Sequence, residues 1–128
     1  MSESLYQPAT PQMSVHRQAL APNIHAAFDG FSRAVFAEGA QPEKTKQLTA
    51  VAVAHVTQCP YCNTGHTKLA RRKGASPEAI MAAIWVAAEM RAGGAYAHSA
   101  LALDVIARDA AAKEGGHAHA GTAPGHAG

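Results

Sequence analysis

Aromatic side chains are scarce in this chain, with one tryptophan, three tyrosines and three phenylalanines in 128 residues. So little bulk cannot fill a thick interior, and elements must meet closely through small side chains. Cysteine is almost missing as well. Two residues, Cys59 and Cys62, are too few for a disulfide-stapled framework, and no second Cys-x-x-Cys completes a four-sulfur zinc site. No run approaches the roughly 18 apolar residues of a membrane-spanning helix. Residues 1–15 are polar and proline-containing, unlike a secretory leader, so the expected location is cytoplasmic. The net charge of +2 is too small to argue for nucleic acid or a membrane surface as partner.

Alanine is what the chain has in abundance, about a quarter of its residues. It is the best helix former, so the composition predicts an all-α protein. Its thin core implies that copies associate to bury enough surface. Residues 1–12, with Pro8 and Pro11 among polar neighbours, read as an extended or disordered arm, and a single helical domain follows over 13–113. Within it a short helix fits Met13–Leu20. Pro22 opens a clearer one with an apolar stripe at Ile24, Phe28, Phe31 and Val35, ended by Gly39.

Pro42 and Glu43 restart the chain. Residues 49–54 alternate valine with alanine as a strand does, but the helix-favouring lead-in and the lack of partner strands favour helix over 43–58. A further helix from Cys59 ends at Gly74. Lys68, Arg71, Arg72 and Lys73 crowd its last turns, chiefly a solvated helix end, with docking of an acidic redox partner as the lesser reading. Ser76-Pro77-Glu78 starts the next helix, whose apolar face holds Ile80, Met81, Ile84 and Ala88 beside Trp85. Gly93-Gly94 is expected to break or tightly pack the chain before a last helix bearing His98, Leu101, Ala102 and Val105 on one face. From Glu114 the chain is glycine, alanine and histidine, and residues 114–128 read as a disordered tail, able at most to bind a transition metal weakly.

Chemistry concentrates in Cys59-Pro60-Tyr61-Cys62-Asn63-Thr64-Gly65-His66. The spacing brings two sulfurs within reach of a disulfide or of one metal. Proline after the first cysteine predicts a helix starting there, so both sulfurs lie at the positive end of a helix dipole, which favours thiolate. His66, four after Cys62, falls one turn along on the same face. A thiol beside an imidazole is an activated nucleophile.

Cys59-x-x-Cys62-x-x-x-His66-Thr67, the basic helix end, Gly74-Ala75-Ser76 with Glu78, and Arg91-Ala92-Gly93-Gly94 with His98 resemble the carboxymuconolactone decarboxylase-like family, and within it the alkylhydroperoxidase AhpD-like branch. The resemblance covers roughly residues 20–110. It implies an all-helical fold of about five to six helices, in trimers or in hexamers. It also implies a thiol-dependent peroxidase or disulfide reductase without metal or cofactor. Cys62 is then the thiolate that attacks peroxide and becomes a sulfenic acid, Cys59 closes the disulfide, and an external dithiol protein reduces it. The decarboxylase branch generally lacks the cysteine pair, so ring-acid chemistry is the weaker inheritance.

One position departs from the pattern. The peroxidases carry a proton-relay glutamate twelve residues before the first cysteine, and here Gln47 stands there. An amide can orient a hydrogen bond but takes no proton. His55 and Glu43 are the nearest substitutes, and loss of His55 is expected to lower thiolate reactivity more than loss of Gln47. The candidate set is therefore Cys59, Cys62, His66, His55, Gln47 and Glu43. Two other classes stay open: a non-enzymatic thiol–disulfide adaptor, and a metal-binding protein using Cys59, Cys62, His66 and either His55 or His98.

Overall fold

The structure, a computed structural model, describes residues 5–118, with side chains through residue 116. Five helices make it up: α1 (Pro11–Leu20), α2 (Pro22–Phe36), α3 (Glu43–Thr57), α4 (Pro60–Arg72) and α5 (Pro77–Ala118). No strand occurs among the described residues, so the ambiguous valine–alanine segment is helical. Packing divides the chain into two compact units, one up to Ala88 and one from Glu89.

In the first unit α3 and α4 form the tightest pair, α2 packs on α3, and α1 on α2. The core is small: Val51 from α3, Ala70 from α4, Ala75 from the following turn and Ile80 from α5, flanked by Leu48 and Ile84. Two alanines among four core residues set the close approach that the composition required.

Local chemistry sets the helix ends. The Thr10 hydroxyl accepts the Met13 N–H at 3.2 Å and Pro11 holds the first position of α1, two residues before the expected start. Removing such a cap costs about 1 kcal/mol. At the far end of α2, the Lys46 ammonium donates to the carbonyls of Val35 and Ala37 at 2.8 and 2.7 Å. Gln58 closes α3 with a left-handed backbone, φ 58° and ψ 45°, which turns the chain sharply into Cys59. Glu43, in the first turn of α3, pairs with Lys73 just past the end of α4 at 2.6 Å.

Two expectations change here. Gly93 and Gly94 do not interrupt the chain, because α5 runs through both. A helical glycine costs about 1 kcal/mol relative to alanine, and the alanine- and leucine-rich flanks outweigh two of them. α5 also continues to Ala118, beyond the Glu114 boundary, carried by propagation from an alanine-rich segment and by the ion pairs Arg108–Asp104 and Lys113–Asp109 at 2.9 and 3.1 Å. The expected tail beyond residue 118 and the first four residues of the arm lie outside the described residues.

The second unit is the distal part of α5. His98 is exposed there and donates through Nδ1 to the Gly94 carbonyl at 2.8 Å.

Candidate functional site

Cys59 sits at the N-cap of α4, with Pro60 at its first position. Its sulfur accepts the Cys62 backbone N–H at 3.3 Å. Both cysteines are free thiols; Cys59 is half-buried and Cys62 exposed. Donation by the Cys62 side chain, then by its backbone N–H, holds the Cys59 thiol below its ordinary range, with burial opposing. The same bond pushes Cys62 up, because its S–H is committed to Cys59, and burial and the Cys59 charge add to the effect. In an intermediate pH window the two sulfurs thus hold one proton between them, with the negative charge on Cys59.

His66 is positioned by two elements. Its Nδ1 lies 2.8 Å from Oε1 of Gln47, which is only 4% exposed. An amide oxygen only accepts, so Nδ1 carries the proton and Nε2 of the neutral ring is left as the base. Phe36, the last residue of α2, stacks on the imidazole with centroids 5.0 Å apart and planes 26° from parallel. Together these lock the ring at the edge of a 440 Å³ cavity. Cys62 and His66 both line it, together with apolar residues that include Val35, Phe36, Val53 and Ala54.

The remaining candidates lie elsewhere. His55 donates from Nδ1 to the Val51 carbonyl at 2.7 Å and accepts the Asn63 side-chain N–H at Nε2, 3.0 Å away. Both ring nitrogens are thus used, Nδ1 within α3 and Nε2 in tying α3 to α4. Glu43 is held by Lys73. The structure therefore pairs Gln47 with His66 and Cys59 with Cys62, brings His66 and Cys62 to the wall of one cavity, and leaves His55 and Glu43 as inter-helix ties.

Three contributors were not singled out from sequence. Phe36 is 30 residues from His66 in the chain, and no spacing rule links them. Asn63 directly follows Cys62, yet its partner is known only once α3 and α4 pack. Tyr61, inside the cysteine pair, donates its hydroxyl to the Gln7 carbonyl at 2.6 Å, and its ring meets Tyr6 edge-on at 6.0 Å. The arm is thereby fastened beside the motif over its described residues. Among the described residues no group of three or more His, Cys, Asp and Glu side chains is placed to hold a metal ion.

Comparison with known proteins points one way. A model of the carboxymuconolactone decarboxylase family matches residues 22–105. "Uncharacterized protein 4 in cox locus" of Paracoccus denitrificans is 64% identical over 84 residues, covering 66% of this chain and 76% of that protein. A crystal structure of a Methanobacterium thermoautotrophicum protein superposes with a TM-score of 0.62 at 30% identity, over 65% of this chain and 93% of that one. An apo carboxymuconolactone decarboxylase family protein of Legionella pneumophila gives a TM-score of 0.59 at 26% identity, over 62% and 70% of the two chains.

Proposed function

The chain belongs to the carboxymuconolactone decarboxylase family, and from that premise we propose that it is a thiol-dependent hydroperoxidase and disulfide reductase of the AhpD-like kind. One observation carries the reading: Cys62 and His66 open onto the same largely apolar cavity, while the thiol sulfur of Cys59 is already hydrogen-bonded to Cys62. The Gln47–His66 bond leaves Nε2 of the ring free for proton transfer.

At rest the Cys62 proton is held toward Cys59; when a hydroperoxide enters the cavity that proton passes to Nε2 of His66, and the Cys62 thiolate so formed attacks the distal oxygen. The O–O bond breaks, Cys62 becomes a sulfenic acid, and the departing alkoxide takes the proton from His66. The Cys59 thiolate then attacks the Cys62 sulfur and the disulfide closes; hydroxide leaves and takes from solvent the proton that Cys59 had released there, departing as water. An external dithiol donates two electrons and two protons to restore both thiols.

Gln47 weakens the first half of this cycle. A glutamate at that position stabilises an imidazolium with its charge and can take its proton, whereas an amide does neither. Together with the depressed Cys59 thiol, this favours a second reading, a thiol–disulfide adaptor that exchanges with proteins faster than it reduces peroxide. Consumption of cumene hydroperoxide with dithiothreitol, abolished in Cys62→Ser, is the expected outcome of the first reading. Ready disulfide exchange without peroxide turnover selects the second.

We propose that the protein acts in the cytoplasm as a homotrimer or hexamer. The uncovered apolar residues of α2 and α5 support association, with Phe28, Phe31 and Trp85 65, 66 and 66% exposed. Among the described residues no helix is long and apolar enough to cross a membrane.

A further inference from the structure

Charge is distributed unevenly along this chain in a way that its small net value hides. From Lys44 to Pro77 there are six basic residues, Lys44, Lys46, Lys68, Arg71, Arg72 and Lys73, and not one Asp or Glu. The rest of the chain carries five basic against nine acidic residues. The acid-free span is the α3–α4 hairpin, which also holds the redox pair.

Three of the six cations are committed. Lys46 holds the end of α2, Lys73 pairs with Glu43, and Arg71 donates to the Ala75 carbonyl at 2.9 Å. Lys68 and Arg72 are exposed and form no ion pair among the described residues. Their spacing places them on one line of α4 with Tyr61 and Gly65, opposite the buried Ala70 and flanking Cys62. The line is about 16 Å long at 1.5 Å per residue. A Cβ on Gly65 would meet nothing within 4 Å, so the middle of the line is open to a close backbone approach.

This face differs from the uncovered faces of α2 and α5. Those present phenylalanine, tryptophan and methionine, as a self-association surface does, whereas Tyr61, the one large apolar residue that α4 exposes among the described residues, already bears Gln7 on its hydroxyl and Tyr6 against its ring. We infer that the outer face of α4, from Gly65 through Lys68 to Arg72, docks an acidic dithiol protein that reduces the Cys59–Cys62 disulfide.

The inference rests on the redox reading above and adds the partner's chemistry to it. The partner's dithiol gives two electrons and two protons, becomes a disulfide, and leaves Cys59 and Cys62 as thiols. Opposite charge raises the encounter rate and orients the partner's thiolate toward the exposed end of the pair.

The test uses the full chain with the pair oxidised by diamide, so that it does not depend on peroxide chemistry. Two synthetic Cys-Gly-Pro-Cys peptides serve as reductants, one flanked by four aspartates and one by four lysines, with dithiothreitol as an uncharged control. At about 20 mM salt the acidic peptide is expected to reduce the protein about tenfold faster than the basic one, and the difference is expected to vanish near 0.5 M salt. In the Lys68→Glu/Arg72→Glu variant the preference is lost or reversed while the dithiothreitol rate stays unchanged. Lys68→Gln/Arg72→Gln, gentler on the helix end, gives an intermediate result.

Equal rates for the two peptides, with dithiothreitol still effective, overturn the docking inference and leave the redox reading standing. Equal rates together with Lys68- and Arg72-dependent pelleting on phosphatidylglycerol vesicles assign the face to lipid and likewise overturn it. Failure of diamide to close any disulfide removes both readings.

Discussion

At the scale of single residues, the proton held between Cys59 and Cys62 decides which sulfur is the thiolate at rest, and so which one a small alkylating agent meets first. Cys59 is depressed chiefly by the Cys62 side chain and Cys62 is raised by the same bond. Iodoacetamide at limiting dose, followed by peptide mapping, is therefore expected to label Cys59 at a pH where an ordinary thiol is still protonated, and Cys62 only at higher pH. Cys62→Ala should move the Cys59 profile upward toward that of a free thiol; an unmoved profile would show that Cys62 is not the cause. The sign for stability follows from the same direction. A depressed Cys59 contributes stability present above its unfolded value and lost as pH falls through its folded one, and the raised Cys62 works against it. Reactivity is thus the cleaner readout. Gln47 is the other residue on which the chemistry turns. Gln47→Glu puts a proton acceptor 2.8 Å from the ring nitrogen of His66, and kcat/KM for hydroperoxide is expected to rise by about 10²-fold, the lower end of general acid–base assistance. An unchanged rate would mean that the relay does not limit turnover.

At the scale of elements, the contact between α3 and α4 carries both structure and site. His55 bonds to its own helix through Val51 and across to α4 through Asn63, so its place is in the joint. His55→Ala is expected to lower stability by about 1–2 kcal/mol, read from chemical denaturation, with a smaller effect on thiol reactivity. Gln47→Ala should do the reverse to activity, slowing peroxide reduction more than His55→Ala does. That order inverts the one suggested by the sequence, where only the distance along the chain to Cys59 was visible. The α3 segment shows why a period can mislead. Residues two apart share a face on a strand but differ by about 200° on a helix, so the valine–alanine alternation that would gather the valines on one face of a strand divides them here. In α3 it puts Val51 inside, fully buried, and Val53 outside, 52% exposed.

At the scale of the whole molecule, the predicted apolar stripe on α2 is present, yet Ile24, Phe28 and Phe31 face outward, as does Trp85 on α5. A chain with this much uncovered aromatic surface and a core of six residues or so is expected to self-associate. Trp85 is the sole tryptophan, so its emission reports the event directly. A blue-shifted maximum that moves red on dilution, in step with falling mass by light scattering, is the expected behaviour. Trp85→Glu should give the smaller species at all concentrations, and a wild-type mass of one chain under all conditions would remove the assembly proposal.

What the amino-acid order determined by itself is whatever depends on near neighbours. Alanine content made the chain helical, proline and serine or threonine marked helix starts, and a three-residue spacing with proline inside placed two sulfurs at one helix mouth. Helix starts and the Cys59 N-cap are interactions within four residues, and such contacts survive any tertiary arrangement. Tertiary structure alone decided the partners. Phe36 on His66, Gln47 holding Nδ1, His55 turned to Asn63, Glu43 claimed by Lys73 and Tyr61 fastened to Gln7 join residues from 8 to 54 positions apart. Their pairing depends on how helices rotate about their axes when they pack, which is fixed by the sum of many small burials. The unbroken α5 belongs to the same class: each glycine argued locally for a stop, and the balance along the whole helix went the other way.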